Sequence, residues 1–265
     1  MGSAAPTLNR LRQSLAGIDP SLKPALPGCG RKVGLAPAIN VALGGGLACG
    51  ALHEIAPSEP GYLGAASGFA FALASIASGQ RRQMLWIGTD YAAIEGGGPY
   101  GPGLDLFGVP SAKLVVLRVP KPVDVLWAME EALRCRALSC VIAELTGEGT
   151  VADLTATRRL SLAAREGAGT RTSGFGLLVR HNATPVPSAA ATRWSIAPAL
   201  SRPDAYGGLG RVRFDLSLRK NRRGPAGRWI IEWDHHEHVF LPALPVGLAQ
   251  ASIDRPDRAP LVQTG

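Results

Sequence analysis

Apolar and polar positions fall into two regimes along this chain. From Gly50 to Arg180, short apolar runs alternate with longer segments of helical spacing. Gly50–Ile55, Gln83–Thr89, Lys113–Val119, Ser139–Leu145 and Gly174–Arg180 have the length and composition of strands. Between them the spacing predicts a helix over about Leu63–Ser78. A second helix is predicted over Pro122–Cys135, with Pro at its first turn and Val125, Leu126, Met129 and Leu133 on one face. A third reaches about Arg165 and is started by Asp153 or Thr155. The stretch after Thr89 reads as a Gly/Pro-rich loop with a short turn near Leu104–Phe107. Strands alternating with helices imply βαβ units and a parallel sheet. Ser139–Leu145 is almost wholly apolar, as suits a strand covered on both faces.

After His181 the helices stop. Ala190–Ala197, Arg211–Arg219 and Arg228–Trp233 read as strands, and Arg219–Gly227 as the turn joining the last two. The fold class is therefore α/β, a three-layer core with a mainly parallel sheet and a C-terminal antiparallel β-hairpin. Residues 1–40 supply a short helix over Pro6–Gly17 and a Pro/Gly-rich linker. Residues 41–240 form the core with its hairpin, entered through the short apolar piece Asn40–Leu47. Residues 241–265 form a Pro-rich tail expected to be disordered.

The most informative stretch is 51–66, ALHEIAPSEPGYLGAA. A strand, a turn and an apolar helix follow one another as in a phosphate-binding loop. Such a loop needs G-x-x-x-x-G-K-[S/T], whose Lys neutralises phosphate charge and whose hydroxyl holds Mg²⁺. Here no Lys lies between Ala51 and Gln80. The frame is present and the cation is absent.

Charge adds a second candidate. The chain carries a formal net charge of +8. The first 150 residues hold +1 of it and the remainder +7, nearly all from Arg. That asymmetry points to an anionic partner, most simply nucleic acid. Arg211, Arg213, Arg219, Lys220, Arg222, Arg223 and Arg228 would put seven cations on the hairpin, as a contact for DNA or a protein partner. The structural alternative is a charged tip that keeps an edge strand soluble.

Other residues read as structure before chemistry. Glu144 and Glu54 at strand ends suit a helix cap or an Arg partner better than a metal, and His181 a hydrogen bond. In Asp234–His238, adjacent residues point to opposite sides of a strand, so few could share an ion. Gly96–Gly103 could cradle an anion or be a surface loop. Glu130 and Glu131 read as a solvated helix face. Trp127, Trp194, Trp229 and Trp233 read as core or interface anchors. No C-x-x-C pair joins Cys29, Cys49, Cys135 and Cys140, so no disulfide framework or zinc site is expected. The uncharged segment Pro60–Gln80 reads as a buried helix, and no membrane is expected.

The strand order resembles the RecA-like core. Leu52–Ile55 and the following helix stand where its phosphate-loop strand and helix stand. Strand 139–145 takes the place of the acidic metal-positioning strand, and 174–180 that of the switch strand. A closer resemblance is to the RecA-related ImuA family of bacterial inducible-mutagenesis proteins. It is carried by Gly50–Ile55 (GALHEI), Leu85–Ile87 (LWI), Leu126–Cys135 (LWAMEEALRC), Val141–Leu145 (VIAEL), Leu154–Leu162 (LTATRRLSL), Thr192–Trp194 (TRW) and Trp229–Asp234 (WIIEWD).

That resemblance implies a non-catalytic helper of SOS-induced, error-prone translesion DNA synthesis. The implied partners are ImuB, a Y-family polymerase relative, an error-prone replicative-type polymerase α subunit, RecA and single-stranded DNA. No cofactor is expected, with weak ATP binding left open. The expected location is the bacterial cytoplasm, at the nucleoid. Two alternatives stand beside this reading. One is an ATPase with an unusual phosphate grip from Arg81 or Arg82. The other is a SulA-type cell-division inhibitor.

Overall fold

Residues 52–57 are buried at every position, so their strand must lie in the middle of a sheet covered on both faces. The computed structural model places it there. The described residues are 31–79, 83–146, 151–168, 174–181, 186–203 and 208–243. The expected helix Pro6–Gly17, most of the linker, Arg81, Arg82 and nearly all of the tail lie outside them.

In chain order the elements are β1 (Lys32–Val33), α1 (Pro37–Ala42), β2 (Leu47–Ala48), β3 (Ala51–Pro57) and α2 (Leu63–Ser78). Next come β4 (Gln83–Thr89), α3 (Asp90–Gly96), α4 (Gly101–Leu106), β5 (Leu114–Val119), α5 (Pro122–Arg134), β6 (Leu138–Leu145) and α6 (Leu154–Ala168). The chain continues through β7 (Phe175–Arg180), β8 (Thr192–Ala199), β9 (Val212–Asn221), β10 (Gly227–Asp234) and β11 (Val239–Pro242). The larger sheet has the order β11-β10-β9-β8-β3-β7-β6-β4-β5. From β8 through β3 to β5 the neighbours are parallel. β9, β10 and β11 are added antiparallel.

Each face has its own core. On one, the sheet packs around α2. The Phe69 ring lies 6.0, 5.8 and 5.5 Å from the rings of Trp194, Phe214 and Phe240. The small residues of α2 let neighbours approach closely, and a Cβ at Gly68 would come within 2.8 Å of the Phe107 ring. The stretch Pro60–Ser78, the 3-10 turn and α2 together, is long and apolar enough to cross a membrane, and most of it is buried inside the protein. On the other face, α5 and α6 cover Leu52, Ile87, Val141 and Leu178 with Val125, Met129 and Leu160. Asp153 starts α6, its carboxylate accepting from the Ala156 N–H at 2.7 Å.

Four expectations change in detail. The apolar piece Asn40–Leu47 with its triple glycine resolves into the end of α1 followed by a turn at Gly44, Gly45 and Gly46. All three have positive φ, and a Cβ at Gly46 would come 2.5 Å from the Val33 carbonyl oxygen. The loop after Thr89 contains two short helices, and the Thr89 hydroxyl caps the first by accepting from the Ala92 N–H. The final strand β11 reaches into the expected tail. Glu130 leaves the solvated face: it pairs with Arg134 of its own helix at 3.0 Å and, across the α5–α6 contact, with Arg159 at 2.7 Å.

Candidate functional sites at opposite ends of the sheet

The strand C-termini are the usual binding end of an open α/β sheet. There, Ser58 gives its N–H to the Ile196 carbonyl at 2.7 Å, so part of the turn is tied to β8. Pro60–Tyr62 form a 3-10 turn and α2 starts at Leu63 without a side-chain cap. No Lys or Arg lies among the described residues between Ala51 and Gly79.

Glu144 stands at the end of β6. Its carboxylate accepts from His181 Nε2 at 2.7 Å and from Trp86 Nε1 at 3.2 Å. The outer edge of the Trp86 ring lies against Gly88, where a Cβ would come within 2.3 Å of it. Sequence alone placed Glu144 and His181 at this end. It did not show that an indole from β4 joins them. No group of three or more His, Cys, Asp or Glu side chains suited to a metal ion occurs among the described residues.

Glu54 is only 1% exposed, on the face of β3 turned toward α6. Its carboxylate accepts from Ser188 Oγ at 2.6 Å and Arg193 Nε at 2.7 Å, with Arg180 Nη1 at 3.8 Å. These bonds fasten the segment before β8 onto the sheet.

The seven hairpin cations divide into two groups. Arg211 pairs with Asp234 at 2.7 Å, Arg213 with Glu232, and Arg228 through two nitrogens with Asp215. The register explains this ladder. Arg213 stands opposite Glu232, and alternate residues of β9 and β10 share the face turned away from α2. Three arginines and three carboxylates neutralise one another there. Asp234 is held below the usual carboxylate range by the Glu237 N–H above all, with the His236 N–H and Arg211 adding to it. In the stretch Asp234–His238, that carboxylate holds a turn.

The second group is the hairpin tip. Lys220 donates to the Ser188 carbonyl. Burial pushes its ammonium pKa down, helped by Arg222 and Arg193. Arg219, Arg222 and Arg223 are exposed and make no ion pair among the described residues. Asn221 locks the tip by donating to the Ala42 carbonyl of α1 at 3.0 Å. Thr192, at the start of β8, faces Asn221, so this tip lies at the strand N-termini, the end of the sheet away from Glu144.

No family model matches the chain. It is 34% identical to Protein ImuA of Caulobacter vibrioides, in the strains NA1000 and CB 15 alike, over 155 residues covering 53% of this chain. The chain spans 60% of the length of those curated relatives. The RadB recombinase structure superposes with a TM-score of 0.53 at 13% identity, covering 79% of this chain and 98% of that one, which speaks for the fold alone. The chain is therefore ImuA-like in sequence over that stretch and RecA-like in fold.

Proposed function

We propose that the protein is a non-catalytic, RecA-like scaffold in DNA-damage-induced mutagenesis, supporting error-prone synthesis by partner polymerases. The observation that carries this reading is the strand-to-helix turn after β3, which keeps the frame of a nucleotide site without its phosphate-binding cation. The likeness to ImuA supplies the process. By the same likeness, the partners are an ImuB-like polymerase relative, an error-prone replicative-type polymerase α subunit and RecA.

Two surfaces support a binding role. At the edge of the sheet, β5 exposes Val115, Val116 and Leu117 in succession, and on α5 Trp127 is 64% exposed. Apolar groups on an open edge suit a protein partner. At the other end, Arg219, Arg222 and Arg223 are free to meet phosphates, which gives affinity without sequence preference.

Both parts are tested in the bacterial host, with a gene deletion and one variant. Removing the gene lowers the frequency of damage-induced mutations, and the wild-type chain restores it. The triple variant Arg219→Glu, Arg222→Glu, Arg223→Glu does not restore it, and its affinity for single-stranded DNA at low salt falls by at least about tenfold. Full restoration by the variant would rule out the tip as a functional contact. An unchanged mutation frequency without the gene would rule out the process. Arg211, Arg213 and Arg228 are left intact, because reversing them would set like charges against Asp234, Glu232 and Asp215.

A further inference from the structure

A cavity of about 250 Å³ opens at the strand C-terminal end, between α2 and the connection that carries α4. Its walls include Phe71, Trp86, Tyr100 and Phe107, the backbone of Gly98, and the carboxylate of Glu144. Among the described residues lining it there is neither Lys nor Arg; Arg118 Nη2 lies 3.2 Å from where a Gly98 Cβ would stand, outside the lining. A phosphate would meet a carboxylate there without a lining cation. The cavity therefore does not replace the grip that the turn after β3 lacks.

Its chemistry suits the opposite charge. Each oxygen of Glu144 accepts one hydrogen bond, from His181 or from Trp86, and each keeps a further lone pair. Aromatic rings attract cations through their faces. The backbone wall at Gly97 and Gly98 lets an incoming chain approach closely. Tyr100, 71% exposed, stands free to fold over an occupant. A planar guanidinium can stack on an aromatic ring and give two N–H groups to a carboxylate, while its methylene stem lies against apolar walls.

We propose that this cavity receives an arginine side chain presented by a partner protein. Such a contact would use the strand C-terminal end of the core as a peptide-reading site. It is independent of the basic hairpin tip and of any contact with DNA.

The probe is the peptide acetyl-Gly-Arg-Gly-amide, titrated into the ¹⁵N-labelled full chain. The readout is the indole N–H resonance of Trp86, identified by its loss in Trp86→Phe. The expected result is a saturable shift, with affinity at least about tenfold weaker in Glu144→Gln and also reduced in Tyr100→Ala. Tyr100 is exposed, so its variant keeps the test valid even where Glu144→Gln loosens the fold. Absence of a shift overturns the proposal. Undiminished binding by Glu144→Gln does so too, as does displacement of the peptide by AMP from the same resonance.

Discussion

Replacing Glu54 with Gln lowers the free energy of unfolding by about 3–5 kcal/mol, the range for removing one partner of a buried ion pair. Gln keeps the shape and can still accept from Ser188. Among the described residues, it removes the one negative charge that Arg193 touches and Arg180 approaches. Both guanidinium groups are largely enclosed, so the change leaves positive charge in a low-dielectric place. Burial already pushes the Arg180 guanidinium down from its ordinary value, and Glu54 works against that. The segment 186–191 should loosen first, because Glu54 binds Ser188 directly and holds Arg193, which donates to the Val186 carbonyl. Denaturant unfolding gives the total, and amide exchange at Ala189 and Ala190 the local part. A loss below about 1 kcal/mol would mean that solvent reaches this cluster more freely than its burial implies.

Acid destabilises the protein through His53, and the effect is of similar size. This side chain projects from β3 into the core, 1% exposed, among Ala48, Thr192 and Phe175. Its Nε2–H donates to the Ala48 carbonyl at 3.0 Å. That fixes Nδ1 as the acceptor, so the Thr192 hydroxyl donates to it at 2.8 Å while accepting from Trp194 Nε1 at 2.9 Å. A second ring proton would make Nδ1 a donor and turn the hydrogen of the Thr192 hydroxyl away from it, out of the bond it makes here. Burial first, and then the charge of Arg223, bring the His53 pKa down to about 4, against the bond to Ala48 that works upward.

The sign follows from linkage. Above the unfolded value near 6.5 the ring is neutral in both states and the full stability is present. As pH falls from 6.5 toward 4, the unfolded chain takes up the proton and the folded chain does not. Stability drops over that window by about 3 kcal/mol from this group. Below about 4 the folded ring also protonates and the loss levels off. His53→Gln should flatten the pH dependence between 6.5 and 4 relative to wild type, measured by denaturant unfolding at several pH values. Equal slopes in the two proteins would show that His53 is not held neutral.

Much of the parallel core was legible because its strands are continuous apolar runs with turn residues at their ends. The bounds of α2 and β4 agree with the sequence reading, and β6 differs by one residue. Shorter pieces were not legible. The Gly and Pro residues around Tyr100 hide the helical spacing of α4, which is six residues long. Likewise, β11 has only four residues and depends on pairing with β10.

The site was harder to read than the fold because its chemistry depends on register. Arg228 and Asp215 lie thirteen positions apart and meet only because β9 and β10 pair as they do. A row of cations in sequence thus became a neutral ladder and a smaller exposed tip. The bond from Asn221 to Ala42 joins positions 179 apart, and no local pattern announces it. Trp86 read as a strand residue, and its donation to Glu144 needs β4 and β6 to be neighbours. Their adjacency with β5 on the far side is a matter of topology.

We propose that a nucleotide-binding frame persists here without the cation that would hold phosphate. Equilibrium binding of ATP with Mg²⁺ to the purified protein, followed on the same sample by phosphate release, tests it most directly. The account predicts no saturable binding in the micromolar range and no turnover. Saturable micromolar binding accompanied by turnover would contradict it.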